Sequence, residues 1–147
     1  MKLPQLSFIV DNKSGALIAP CKLLRDAGID IVTLCLADSG QIGVLRLIVA
    51  EWQEAKEILQ AAGYDVKVSY VLAVEVADKP GGLLDLLQLF NEARLNVAHM
   101  YAFSQRLGQS AVLVFSFDDL DAAISCLTRA GINPVMPVDL YERPGEE

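Results

Sequence analysis

Asp78-Lys79-Pro80-Gly81-Gly82-Leu83 decides the fold, because 66 positions earlier it has a counterpart in Asn12-Lys13-Ser14-Gly15-Ala16-Leu17. The same shift lays Ala93-Arg94-Leu95-Asn96-Val97 on Ala27-Gly28-Ile29-Asp30-Ile31. Past a two-residue insertion near Arg106 the offset becomes 68, and Val112, Leu127, Ala130 and Gly131 overlie Val44, Leu59, Ala62 and Gly63. A module of about 70 residues can close a small core alone, so this is one duplication and not a solenoid. The expected domains are residues 1–70 and 71–147.

Working outward from the turns, Leu6–Val10 is a short apolar run that enters Asp11-Asn12-Lys13-Ser14-Gly15, a strand followed by a tight turn. Leu17, Pro20, Cys21 and Leu24 then keep helical spacing up to Ala27-Gly28, where glycine supplies a stop. Pro20 lacks a backbone donor, so either the first turn is irregular or the helix starts nearer Ile18 than Ser14. Ile29–Ala37 and Ile42–Val49 read as strands around Asp38-Ser39-Gly40-Gln41, which has hairpin chemistry. Trp52, Ala55, Ile58, Leu59 and Ala62 form a second helical stripe, and Tyr64–Ser69 returns as a strand. The second half repeats the order. Val71–Ala77 is its first strand, Leu83, Leu86, Leu87 and Phe90 its first helix stripe, and Val97–Phe103 and Ala111–Phe117 a pair around Gln105–Gln109. Leu120, Ala123, Ile124, Leu127 and Ala130 give the second helix, and Asn133–Leu140 is expected to be the last strand. The fold class is α+β: two ferredoxin-like βαββαβ units with antiparallel sheets and helices on one face.

Composition narrows the function. The net charge is −7, with 7 basic and 8 acidic side chains in residues 1–69 against 5 and 11 in residues 70–147, so a nucleic-acid partner is not expected. Lys22, Arg25, Arg46 and Glu75 interrupt the apolar runs, which leaves no membrane span. The N-terminus lacks a signal-peptide pattern, and a cytoplasmic location is expected. Cys21, Cys35 and Cys126 are odd in number and lie in apolar segments, the pattern of reduced core thiols. Catalysis finds no support. His99 is the one histidine, no serine or cysteine stands in a nucleophile setting, and no metal or cofactor pattern exists. Asp118-Asp119-Leu120-Asp121 reads as helix capping and not as a cation site. Arg46 reads as a residue of a solvated outer face, with a ligand or interface contact as the alternative.

The chemistry left over lies in the two strand-to-helix turns. Each places a small polar side chain and then a glycine at the positive end of a helix, where backbone N–H groups can meet a carboxylate and Asn12 or Asp78 can accept from an ammonium. Simple capping, with Ser14 as N-cap and Pro80 at a first helical position, accounts for the same residues.

The paired turns, the helix ends Asn91-Glu92-Ala93 and Ala27-Gly28, and the strand openings Leu95-Asn96-Val97 and Ile29-Asp30-Ile31 make the chain resemble a tandem of ACT domains, small regulatory modules that bind amino acids. Leu34-Cys35-Leu36-Ala37 and Gly43-Val44-Leu45-Arg46 are similar to segments of stand-alone two-ACT proteins. The resemblance implies effector contacts at Asn12, Gly15 and Asp30 in one unit and Asp78, Gly81 and Asn96 in the other, with Ser14, Ala16, Leu17, Ile31, Gly82, Leu83 and Val97 beside them. Ser14 replaces the usual proline and Asp30 the common asparagine, so the first site would take another ligand or be the one competent site. The implied function is a non-catalytic regulator without cofactors. It would bind an amino acid between the turn of one unit and the second strand of another, and would signal to a separate enzyme partner. The alternative is an assembly module that binds no ligand. A homodimer or higher oligomer is expected, because strands such as Val71–Val74 would need cover on the face that helices leave open.

Overall fold

A computed structural model describes residues 1–103 and 110–142; the expected Gln105–Gln109 loop, with Arg106, lies outside them. The chain divides into a unit of Pro4–Ser69 and a second unit that starts at Tyr70 and gathers Met1–Leu3. The first contains most of β1 (Leu3–Asp11), then α1 (Ile18–Asp26), β2 (Thr33–Ser39), β3 (Ile42–Ile48) and α2 (Trp52–Ala61). β3 pairs antiparallel with both β1 and β2, and Val10, Gly43 and Asp38 fall in one row across them. Alternation sends Leu6, Phe8 and Val10 of β1 and Leu45 and Leu47 of β3 toward Leu24 of α1 and Ala55 and Leu59 of α2.

β4 (Lys67–Ala77) crosses the division, and the second unit continues with α3 (Gly82–Glu92), β5 (Val97–Ala102), β6 (Ser110–Phe117), α4 (Leu120–Arg129) and α5 (Pro137–Tyr141). β6 lies between β4 and β5, antiparallel to both, with a register shift in β5 between Val97 and His99. Its core sets Phe90 edge-on against Phe115 and Phe117, with ring centroids 5.4 and 5.0 Å apart, a favourable aromatic geometry. Asp119 caps α4, its Oδ1 accepting from the Ala122 N–H at 3.0 Å, as the acidic run suggests.

Four helices end in one device. The residue after each C-cap has positive φ (Gly28, Gly63, Arg94, Gly131), and the next N–H bonds back across the last turn: Ile29 to Leu24, Tyr64 to Leu59, Leu95 to Phe90 and Ile132 to Leu127. This is the Schellman closure, whose paired apolar residues seal the helix end onto the core. Arg94 (φ 57°) is the one non-glycine residue with positive φ among the described residues.

The fold departs from the expectations in several places. Tyr64–Ser69 and Val71–Ala77 are not separate strands: no glycine or proline interrupts Lys67–Ala77, and it runs as one. Asn133–Leu140 is not a strand. Pro134 and Pro137 lack donors for a ladder, Pro137 begins α5, and Val135 makes a single backbone bond to the Ala73 carbonyl. β2 begins at Thr33 and not Ile29, because the Ile29 N–H is spent closing α1. Val71–Val74 are fully buried within the one chain, so that stretch does not require association. Of the three free thiols only Cys126 is buried; Cys21 and Cys35 are half-buried and not core. Cys35 sits opposite Arg46, on the face away from the helices.

α3 starts against a wall. The Lys79 N–H bonds the Ala77 carbonyl at 2.9 Å and the Gly82 N–H bonds the Lys79 carbonyl at 3.1 Å. A Cβ on Gly82 would collide with the Ala77 carbonyl oxygen. Thermal melting therefore separates two substitutions in the second unit. Arg94→Gly relieves a left-handed residue and is expected to stabilise by about 0.5–1 kcal/mol. Gly82→Ala forces backbone apart and is expected to cost about 1–3 kcal/mol. A neutral Gly82→Ala would show that the turn is looser than described.

Candidate functional site

Two side-chain and backbone bonds from Asn12 shape the first turn. Its N–H donates to the Gln41 carbonyl at 3.0 Å and its Nδ2 to the Gly40 carbonyl at 2.9 Å, which moors the turn to the β2–β3 hairpin. With Nδ2 engaged, Oδ1 is the atom Asn12 has to offer an ammonium group. Gly15 adopts φ +83°, and α1 begins at Ile18 with Leu17 as N-cap and no side-chain cap. Helix geometry gives the N–H groups of Leu17 and Ala19 no intrahelical acceptor. Pro20 is the third helical residue, where a missing donor costs no helical bond.

Between this turn and the neighbouring strands is a cavity of about 450 Å³, lined by Val10–Lys13, Gly15–Ile18, Leu36, Asp38 and Gly43. That volume suits a small ligand. The polar groups stand at its mouth: Asp11, Asn12, Lys13 and Asp38 are all exposed. Lys13 and Asp11 approach to 3.5 Å at an exposed position, where an ion pair is weak and either charge can turn to a ligand. Val10 and Gly43 are buried and form the inner end, while Leu17, Ile18 and Leu36 supply apolar walls.

Asn12, Gly15, Ala16 and Leu17 thus come together as expected from sequence. Ser14 is exposed, is not the N-cap and does not line the cavity; Asp30 and Ile31, in the segment after α1, do not line it either. Sequence reasoning missed Gly43, Asp38, Leu36, Val10, Asp11, Lys13 and Ile18. A signal existed for Gly43, since a lone glycine inside a strand marks close approach by something else.

The second turn is built differently. Gly81 (φ +84°) is the N-cap of α3, Pro80 precedes the helix instead of opening it, and Gly82 is packed against the end of β4. Position 16, aligned with Gly82, carries a methyl that packs half-buried against the first-unit core. Asn96 Nδ2 donates to Asp118 Oδ2 at 2.9 Å, and the Asp118 N–H bonds the Asn96 carbonyl, which braces the start of β5. Val97 packs on the core, and Asp78 and Leu83 are exposed. His99 stacks on Tyr101 with centroids 6.5 Å apart. Among the described residues no cluster of His, Cys, Asp or Glu could hold a metal ion, and no helix is long and apolar enough to cross a membrane.

A solved structure of protein BT0572 from Bacteroides thetaiotaomicron matches with a TM-score of 0.88 and 26% identity, over 97% of this chain and 98% of that one. The ligand-free regulatory subunit of aspartate kinase from Thermus thermophilus matches at TM-score 0.62 and 14% identity, over 88% and 93%. The corresponding subunit from Thermus flavus matches at 0.60 and 15%, over 89% and 94%. The chain has no significant match among curated protein sequences. The family model of the ACT domain pair matches residues 1–142, and with two ferredoxin-like units under it the chain belongs to that family.

Proposed function

We propose that this protein is a non-catalytic regulator that binds a free amino acid at the first-unit turn and reports it to a separate partner. The observation that carries the reading is the division of the cavity into a charged mouth and an apolar end. An amino acid is a zwitterion with a side chain, and each part has a counterpart. The uncapped start of α1 and Lys13 suit the carboxylate, since a helix N-terminus carries partial positive charge and donors. Asn12 Oδ1, Asp11 and Asp38 suit the ammonium.

Residues 1–70 and 71–147 serve as the two ACT domains of this proposal, with the ligand in the first. The second turn is left out because Gly82 and Asn96 are committed to packing and bracing. Ile18, Leu34 and Leu36 leave apolar surface exposed around the mouth, and we propose that an ACT unit of a second copy covers it in a homodimer. The Thermus proteins of like fold are regulatory subunits of an enzyme, and a regulatory partnership with a separate enzyme is proposed here too. Signalling then requires that the ligand bind one arrangement of the assembly better than another.

Thermal melting with each of the twenty amino acids tests this reading. One present at 100 times its dissociation constant is expected to add about 2.7 kcal/mol of stability. Calorimetric titration is expected to give one ligand per chain, and Asn12→Ala, which removes a contact of about 1–3 kcal/mol, to weaken it tenfold or more. If none of the twenty raises the melting temperature at millimolar concentration, the assembly-module alternative takes its place. A monomer by sedimentation at micromolar concentration would remove the homodimer.

A further inference from the structure

The inner end of the first-unit cavity has no charged, hydrogen-bonding or aromatic side chain. Val10 and Gly43 form it, Leu17, Ile18 and Leu36 wall the cavity around it, and the polar lining residues Asp11, Asn12, Lys13 and Asp38 are all exposed at the mouth. Gly43 sits in the row between Val10 and Asp38, and its missing side chain lets Leu36 and Val10 close over it. A Cβ at position 43 would lie 3.1 Å from Leu36 Cδ1 and 3.3 Å from Val10 Cγ2. A methyl group would therefore crowd both side chains, and Leu36, the more exposed of the two, would have to shift by a few tenths of an ångström and reshape the cavity wall. Gly43 is not among the positive-φ glycines, so an alanine there is not strained by its backbone. Its effect would come through the space it fills.

We infer that the ligand is an amino acid with an aliphatic side chain, and that Gly43 determines which sizes are accepted. This rests on the amino-acid reading and adds the ligand's chemistry to it. A polar side chain pushed to the inner end would lose its water without gaining a partner, at a cost that a hydrocarbon does not meet. A hydrocarbon would instead replace water against Val10, Leu17 and Leu36. Aromatic rings gain no stacking partner there, and their bulk needs room that Leu36 would have to vacate. Because one methylene in an apolar pocket changes affinity by about 10–200-fold, a single methyl at position 43 is enough to re-rank ligands.

Binding of alanine, valine, leucine, isoleucine, methionine, phenylalanine, serine, aspartate and lysine is measured by calorimetry on the full chain, for the wild type and Gly43→Ala. In the wild type, the best of valine, leucine, isoleucine and methionine is expected to exceed serine, aspartate and lysine at least tenfold. Gly43→Ala is expected to lose about 10–100-fold for that ligand while changing alanine by less than threefold. Leu36→Ala, at a position already 46% exposed, is expected to move the preference toward phenylalanine, and it tests the apolar wall even if Gly43→Ala folds poorly. Tighter binding of a polar or charged amino acid, or equal losses for all ligands in Gly43→Ala with no shift in Leu36→Ala, overturns the selectivity and leaves the sensor reading standing. Failure of every amino acid to bind removes both.

Discussion

Asn12 ties the first turn to the β2–β3 hairpin by bonding outward, to the carbonyls of Gly40 and Gln41. The site described above depends on that outward mooring. A strand-to-helix turn must satisfy its backbone donors somewhere, because buried polar groups without partners are costly. The second turn satisfies them inward, with Lys79 bonding to Ala77 and Gly82 wedged against the same carbonyl. One duplicated module thus yields two turns that are bonded differently, the first with a cavity beside it. The difference at the aligned positions is small: alanine at 16 where glycine stands at 82.

Around these turns the units are held by the same means throughout. Four helix ends use a left-handed residue and an apolar pair to close onto the core, and the apolar faces of the strands complete it. Because α1 is anchored at its C-terminal end through Leu24 and Ile29, its N-terminal end is positioned without a side-chain cap. The helix start is thereby available to a ligand at no expense to the core, an arrangement consistent with a regulatory module whose site has to fill and empty.

Much of this was legible in the sequence. Helical spacing, Ala-Gly stops and the repeat offset placed α1 to α4 and the strand pairs, and of the two readings that Pro20 left open the later helix start, at Ile18, is the one found. Three features resisted. Lys67–Ala77 carries β-rich sequence across a module boundary, and periodicity contains no mark of where one unit ends. Asn133–Leu140 has the composition of a strand, yet its two prolines deny the hydrogen bonds that composition does not count. The cavity was read from its turn alone. Its other wall comes from β2 and β3 by long-range pairing, which local pattern does not report; Gly43 was the one local clue. Asn96 Nδ2 braces β5 against Asp118, a bond that the residue type at a strand opening did not announce.

Amide chemical shifts in an isotope-labelled chain distinguish a ligand at the first turn from one at the second. On titration with leucine or isoleucine, the amides of residues 11–18, 36–38 and 43 are expected to move together and saturate with one dissociation constant. Those of residues 78–83 and 96–97 are expected to remain in place. Equal movement of both turns, or movement confined to residues 78–83 and 96–97, would contradict the account.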